Sequence, residues 1–204
     1  MKFRYPDKPT PTTIEAVRKM DIPAYIGQGK YDGHHLQITR EQDKTHKFFT
    51  SSGKLMDNKP SFPREIHDQC AELDIPQNSM LDSEFVGPRG HHPTAVYLFD
   101  CLAWNGSWLV REPFEKRWQR IVALQEQVAQ LPLVHLAWTF ETDFLIHFNR
   151  LREEWIKNGR GMDLFEGIVL KRRSGLLRLD LNKSTKSLHM FKLKYREIRG
   201  EALC

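Results

Sequence analysis

The sequence predicts an α+β fold of mainly antiparallel sheets that are flanked by helices. Short β-like runs bounded by turn residues indicate strands over residues 23–28, 35–39, 46–50, 80–86 and 94–104. Two later segments, 114–131 and 145–155, instead carry apolar residues at helical spacing. Strands and helices in this irregular order favour antiparallel pairing over repeated βαβ units.

The remaining elements are expected in the following order. The first eleven residues hold three prolines and predict an extended basic arm. A short helix follows over 12–20, and a second one over 63–73 has a proline near its first turn. The last strands are expected over 133–138, 166–171 and 190–194.

The composition fits a single globular domain that spans residues 1–204. Apolar residues make up 40% and charged residues 28% of the chain, which excludes a disordered protein. Three cysteines without a Cys-x-x-Cys pair argue against a disulfide framework or a cysteine zinc site. The sequence shows no signal peptide and no membrane-spanning run, so we expect a cytoplasmic protein, or a phage-encoded one in the host cytoplasm.

The formal net charge of +5 and the pI of about 9.1 suit a partner with a phosphate backbone. A basic surface gains affinity for nucleic acid by releasing condensed counterions. Many proteins carry such a charge without a polyanionic partner, so the charge alone favours nucleic acid only modestly.

The most informative segment is Gly29-Lys30-Tyr31-Asp32-Gly33, where a lysine lies between two β-like runs. If the segment is a strand, Lys30 and Asp32 point to the same face. Gly33 allows the backbone to turn or to approach a ligand closely. Four residues of this kind also occur by chance in solvated turns, so the segment indicates a functional site only if other parts of the sequence support it.

Charged residues within apolar, strand-like runs elsewhere in the sequence give this support. Glu84 lies in Leu81–Phe85, Glu166 begins a second run, and Lys192 and Lys194 share one face of a third. Charges are costly to bury unless they are paired. Several such residues together indicate a charged cleft rather than isolated structural pairs.

A cleft of this composition suits nucleotidyl transfer. A lysine amine attacks the α-phosphorus of a nucleoside triphosphate only in its uncharged form, which burial and nearby cations favour. The same cations neutralise charge on the phosphoryl oxygens. Two glutamates can supply oxygen ligands to Mg²⁺ or Mn²⁺, so Glu84 and Glu166 are the candidate metal ligands.

These motifs, in this order and with Phe99-Asp100 between them, resemble the covalent nucleotidyltransferase superfamily, and the ATP-dependent DNA ligases most closely. The similarity extends from about residue 24 to 195. It implies a nucleotidyltransferase (ATP-grasp-like) domain with the nucleotide cleft between its sheets. The chain ends about ten residues after Lys194, so we expect no OB-fold within it.

The resemblance also implies residue roles. Lys30 is the nucleophile that becomes linked to AMP, and Phe99 stacks on the adenine. Lys192 and Lys194 contact the α-phosphate, and Asp32 helps to position the 3′-hydroxyl of a nick. The implied nucleotide-binding residues are Gln28, Lys30, Gly33, His35, Glu84, Phe99, Glu166, Lys171, Lys192 and Lys194; the implied catalytic residues are Lys30, Asp32, Lys192 and Lys194.

Three positions depart from the family pattern. Gln28 replaces the usual glutamate, although its amide oxygen can still accept from the adenine amino group, so ATP remains the expected cofactor. His35 and Ser51 replace arginines, which alters the contacts expected to ribose and terminal phosphate.

The expected function is the sealing of 5′-phosphate/3′-hydroxyl nicks in duplex DNA by a monomer. An RNA ligase, or a ligase of RNA/DNA hybrids, is the main alternative, and a nick-binding module without catalysis is another. A capping guanylyltransferase fits less well. A basic cluster beside the last motifs is the candidate nucleic-acid surface: Arg172, Arg173, Arg178, Lys183 and Lys186.

Overall fold

The computed structural model describes residues 3–56, 62–88, 92–159 and 163–197. Its strands, in chain order, are β1 (Tyr5–Pro6), β2 (Lys8–Pro11), β3 (Tyr25–Tyr31), β4 (His34–Arg40), β5 (His46–Thr50), β6 (Ser79–Val86), β7 (Ala95–Trp104), β8 (Ser107–Trp108), β9 (Val134–Leu136), β10 (Thr139–Phe140), β11 (Phe165–Arg172), β12 (Leu179–Asp180) and β13 (Lys186–Lys194). The helices are α1 (Ile14–Arg18), α2 (Arg64–Ala71), α3 (Phe114–Val122), α4 (Gln125–Val128) and α5 (Phe144–Lys157). Two short 3₁₀ helices cover Ile22–Ala24 and Tyr195–Glu197. These mixed elements confirm the predicted α+β class.

The five-stranded sheet has the order β10-β3-β11-β13-β2. Its neighbours are antiparallel except for β2, which runs parallel to β13. Lys30 of β3 lies opposite Gly167 of β11, which in turn lies opposite Lys194 of β13. The pairing therefore brings residues 30, 167 and 194 side by side across the centre of the sheet.

The six-stranded sheet has the order β5-β4-β6-β7-β8, with β9 added parallel to β7. His35 of β4 lies opposite Glu84 of β6, and Asp82 lies opposite Asp100 of β7. Because side chains alternate along a strand, Asp82 and Glu84 share a face. The acidic residues of this sheet are thus concentrated on one side.

Three apolar clusters occur among the described residues, and the two larger ones stabilise the main sheets. The larger core joins the six-stranded sheet to α2, α3 and α4, with Ile38, Ile66 and Ile121 fully buried. The smaller core packs α1 and α5 against the five-stranded sheet, through residues such as Phe148 and Ile168. Both cores follow from the apolar faces that the sequence predicted.

Between Tyr5 and Pro11 the N-terminal arm contributes two short strands, and both pair with other strands. Strand β1 pairs with β12, and β2 adds to the edge of the five-stranded sheet beside β13. Gln37 also donates a hydrogen bond to the Arg4 carbonyl oxygen. Lys2 of the arm lies outside the described residues.

The apolar stripe over 114–131 forms two helices rather than the single one predicted. Helix α3 ends at Val122, and Leu124 adopts φ −86° and ψ 0° before α4 begins at Gln125. This break lets Leu124 and Val128 both reach the core, where each is buried. No helix among the described ranges is long and apolar enough to cross a membrane.

Candidate active site

A cleft with a cavity volume of about 360 Å³ is bounded by strands of both larger sheets. Strands β3, β11 and β13 contribute one wall, and β4, β6 and β7 contribute the other. Residues 6–9 of the N-terminal arm also line it. The cleft therefore lies where the resemblance implied a nucleotide site.

One end of the cleft holds two lysines on a single carboxylate. Lys30 Nζ lies 2.5 Å from Glu166 Oε1, and Lys194 Nζ lies 2.8 Å from Glu166 Oε2. Burial would raise the pKa of Glu166, but the charges and hydrogen bonds of Lys30 and Lys194 outweigh it and lower the pKa. Glu166 is therefore ionised and neutralises part of a cationic cluster, which we call the phosphate end.

A β-bulge aims Glu166 at these lysines. The pairing of β11 with β3 shifts so that Phe165 faces Tyr31 and Gly167 faces Lys30, leaving Glu166 as the extra residue. Gly167 adopts φ +152°, and an added Cβ would collide with the Leu193 carbonyl oxygen. The Glu-Gly pair thus gives β11 a bend that few other residues permit.

The opposite wall carries Glu84, a buried carboxyl group whose pKa lies well above the ordinary value. Burial raises the pKa of Glu84 to about 7, against the opposing charges of Lys30 and His35. Gly33 packs closely against the backbone of β6 beside Glu84. A Cβ at this position would collide with the Phe85 carbonyl oxygen and crowd Glu84 Cγ. Glu84 is a titratable oxygen donor that faces the Lys30 cluster across the cleft.

His35 lies beside Glu84 and pairs with Asp82. Its Nε2 lies 2.6 Å from Asp82 Oδ1, while its Nδ1 is buried without a hydrogen-bond partner. Burial would lower the pKa of His35, but the charge of Asp82 and its hydrogen bond raise it. His35 is thus a buried imidazole paired with Asp82, at the position where the family pattern has arginine.

The other end of the cleft, which we call the base end, centres on Phe99. Its carbonyl oxygen accepts from Gln28 Nε2 at 3.4 Å and from Lys171 Nζ at 3.0 Å. The Lys171 ammonium also lies 4.8 Å from the Phe99 ring centroid and 4.6 Å from that of Phe114. These contacts fix an aromatic ring at the cleft wall.

A buried ion-pair network supports the base end from below. Arg117 Nε and Nη2 donate to the two oxygens of Asp100 at 2.9 and 3.0 Å. Lys171 Nζ lies 3.8 Å from Asp100 Oδ2. Burial lowers the pKa of Lys171 to about 8, although Asp100 opposes the shift. The bidentate geometry holds β7, and with it Phe99, against α3.

Most of the predicted nucleotide-binding residues meet in this cleft. Its lining includes Gln28, Lys30, Gly33, His35, Glu84, Phe99, Lys171, Lys192 and Lys194, together with Ser51, and Glu166 reaches it through the two lysines. Asp32 is an exception among the predicted catalytic residues. Strand β3 ends at Tyr31, so the alternation that would have placed Asp32 beside Lys30 does not apply, and Asp32 does not line the cleft.

The predicted nucleic-acid surface divides into two groups. Arg172, Arg178, Lys183 and Lys186 are exposed. Arg173 instead pairs with Glu115 at 2.8 Å and with Glu141 at 2.6 Å, and it donates to the Pro23 carbonyl oxygen. Its guanidinium is therefore committed to contacts within the protein.

Sequence reasoning left several residues of the cleft lining without an assigned role, Asp82 and two residues of the N-terminal arm among them. Asp82 pairs with His35. It lies in the same apolar strand as Glu84 and could have been predicted by the same reasoning. Asp7 and Lys8 reach the cleft from the N-terminal arm. Nothing in their local pattern distinguishes them from residues of a solvated segment.

Sequence comparison decides the family. The family model described as ATP dependent DNA ligase domain matches residues 89–194, slightly more than half of the chain. The chain belongs to this family. No curated protein matches it.

Solved structures of ligases share the fold of this DNA ligase family member. The ligase domain of M. tuberculosis LigD has a TM-score of 0.68 and 17% identity over 94% of this chain and 60% of that one. A Lig E DNA ligase, studied for DNA binding with a minimal scaffold, has a TM-score of 0.61 and 15% identity, over 92% and 67%. The ATP-dependent ligase of bacteriophage T7, in complex with ATP, has a TM-score of 0.57 and 15% identity, over 93% and 68%. The chain thus spans about two thirds or less of these structures.

Proposed function

We propose that this protein is an ATP-dependent polynucleotide ligase that seals 5′-phosphate/3′-hydroxyl nicks, with duplex DNA as the preferred substrate, through an AMP-linked Lys30. The observation that carries the proposal is the grouping of Lys30, Lys194 and Glu166 at one end of a cleft whose other end presents Phe99. That arrangement suits a nucleotide with its phosphates at the lysines and its base on the aromatic ring.

In the first step, Lys30 Nζ forms a bond to the α-phosphorus of ATP, and pyrophosphate leaves. Lys30 Nζ is paired with Glu166, so it must leave that pair before it attacks, and its protons pass to water that reaches the partly exposed side chain. Lys192 and Lys194, both in the cleft lining, would neutralise charge on the phosphoryl oxygens.

Glu84 and Glu166 would hold a divalent cation. No cluster of three His, Cys, Asp or Glu side chains suited to a metal occurs within the described part of the chain. Mg²⁺ is usually bound by one or two carboxylates together with substrate phosphates and water, so two facing glutamates fit this requirement. Such an ion would supply charge neutralisation at the phosphates.

Gln28 supports the choice of ATP. The residue is only 2% exposed, and its Nε2 donates to the Phe99 carbonyl oxygen, which leaves Oε1 buried without a partner. An unpaired acceptor at the base end favours a base with an amino group. His35, whose Nδ1 has no hydrogen-bond partner among the described residues, would contact the ribose.

In the later steps, AMP passes from Lys30 to the 5′-phosphate of the nick, and the 3′-hydroxyl displaces AMP to form the phosphodiester. The exposed residues Arg172, Arg178, Lys183 and Lys186 would bind the phosphate backbone. Asp32 would act at the 3′-hydroxyl from outside the nucleotide cleft.

Incubation with α-³²P-labelled ATP and Mg²⁺, followed by denaturing electrophoresis, tests the first step. Wild type is expected to retain label, Lys30→Ala to retain none, and Lys157→Ala, at the exposed end of α5, to match wild type. Label on Lys30→Ala, or none on wild type, would refute the proposal.

The labelled protein then tests the substrate. Separate additions of nicked DNA, nicked RNA and nicked hybrid duplexes are expected to discharge AMP fastest with DNA and to yield sealed strands. Faster sealing of RNA would move the function to the RNA ligases. Binding of nicks without AMP transfer would indicate a non-catalytic module.

A further inference from the structure

The N-terminal arm supplies a buried carboxylate to the cleft. Asp7, between β1 and β2, lines the cleft and is only 5% exposed. Neither of its carboxyl oxygens has a hydrogen-bond partner within normal distance and angle limits among the described residues, although the Ser187 hydroxyl and the Arg178 backbone are close enough to lower its pKa. An ionisable group that is buried in this way carries a desolvation cost, which a ligand with matching donors would offset.

Asp7 lies at the base end of the cleft. The register of β13 shows which end of the cleft is which. Lys194 lies level with Lys30, across Gly167, whereas Met190, four residues earlier, lies opposite Lys171. The chain reaches Ser187 still farther from Lys194, and the Ser187 hydroxyl is close enough to influence Asp7. Asp7 is therefore beyond Lys171, on the side away from the phosphate end.

The surrounding charges agree with this placement. The Asp7 carboxylate acts on Lys171 and on Arg117, the two cations beneath Phe99. Burial raises the pKa of Asp7, against the opposing influence of the Ser187 hydroxyl and the Arg117 charge. Asp7 thus belongs to the polar floor of the base end, although it is about 90 residues from Phe99 in the sequence.

We propose that Asp7 is a specificity-determining residue that accepts a hydrogen bond from the exocyclic amino group of the nucleobase. The Gln28 Oε1 atom is a second unpaired acceptor in the same cleft. The cleft therefore offers an unpaired acceptor on β3 and another on the arm. This inference rests on the proposed nucleotide-binding function and adds the N-terminal arm to its recognition site.

The test compares ATP with purine riboside triphosphate, which differs from ATP in lacking the 6-amino group. Binding is measured by calorimetry and lysine labelling is measured in parallel, for wild type and Asp7→Ala. Wild type is expected to bind ATP at least about tenfold more tightly than the analogue. In Asp7→Ala the affinity for ATP should fall about tenfold while that for the analogue changes less than about twofold.

A purely structural role predicts a different pattern. If Asp7 only holds the arm in place, both nucleotides should lose affinity equally, and that result would overturn the proposal. Unchanged discrimination in Asp7→Ala would overturn it as well. Asp180→Ala, in β12 beside β1 but outside the cleft lining, is the matched control and should leave the preference for ATP intact.

Two further arms keep the test decisive. Should Asp7→Ala fail to fold, Asp7→Asn keeps the shape and one acceptor oxygen, and it should lose about threefold or more of the preference for ATP. Because binding is measured separately, a wild type that binds ATP but is not labelled would refute lysine adenylylation and leave the Asp7 comparison valid. A wild type that binds neither nucleotide would overturn both.

Discussion

The two ends of the cleft contain the same kinds of charged side chain under opposite conditions. At the phosphate end, the side chains of Lys30, Lys194 and Glu166 are 21%, 23% and 15% exposed. At the base end, those of Arg117, Asp100 and Lys171 are 3%, 4% and 5% exposed. Water and substrate can therefore replace the first set of ion pairs but not the second.

This difference in exposure assigns a chemical role to one set of ion pairs and a structural role to the other. Partly exposed pairs have modest strength, so nucleotide phosphates can compete for Lys30 and Lys194. Buried pairs are costly to break because the remaining charge has no solvent. We infer that the phosphate end is built to exchange partners and that the base end is built to keep Phe99 in one place.

The largest effect on stability is expected at the base end. Arg117→Met removes the bidentate partner of Asp100 and should lower the free energy of unfolding by about 3–5 kcal/mol. Urea denaturation measures this. Arg120→Met is the matched control in the same helix, since its pair with Glu112 is about one third exposed. Its effect should be below about 1 kcal/mol, and equal effects at both positions would contradict the comparison.

The phosphate end should show the reverse balance. Glu166→Gln should lower the free energy of unfolding by about 1 kcal/mol or less. It should slow lysine adenylylation about 100-fold or more, because the proposed divalent cation loses one of its two carboxylate ligands. Stopped labelling assays with Glu126→Gln as an exposed control measure the rate. A large loss of stability with normal labelling would reverse the assignment of the two ends.

Lys171 predicts a dependence of stability on pH. Its pKa is about 8 in the folded protein, whereas an ordinary lysine has about 10.4. Between these values the unfolded chain binds a proton that the folded protein lacks, so stability contributed by this group rises with pH. Wild type should gain about 2 kcal/mol relative to Lys171→Met between about pH 7 and pH 9.5. Parallel pH profiles of the two proteins, from urea denaturation, would show that Lys171 is not buried as described.

The smallest expected effects lie outside the cleft. Lys183→Ala and Lys186→Ala should each weaken duplex binding a few-fold and reduce the salt dependence of the affinity by about one unit of slope. Fluorescence anisotropy over a salt series measures both quantities, with Lys157→Ala as the control. An unchanged slope would place the nucleic-acid surface elsewhere.

Local patterns predicted the strands and the phosphate end well. Alternation along β13 placed Lys192 and Lys194 on one face, and the Glu166 run was correctly read as a strand. Neither pattern showed the bulge that turns Glu166 toward Lys30, because a bulge is a property of two paired strands. The end of β3 at Tyr31, which separates Asp32 from the cleft, was missed for the same reason.

The base end was harder to predict because it depends on contacts between distant parts of the chain. Asp100 and Arg117 are separated by 17 residues and Asp100 and Lys171 by still more. Asp7 meets this group only because β2 adds to the edge beside β13. Hydrophobic periodicity identifies faces of single elements and does not determine which edges will pair.

Mapping the AMP adduct tests the proposed role of Lys30 most directly. After incubation with ATP and Mg²⁺, the protein is digested and its peptides are analysed by tandem mass spectrometry. We predict one AMP, on Lys30, which added pyrophosphate removes. AMP on Lys192, Lys194 or another residue, or no adduct under conditions in which ATP binds, would contradict it.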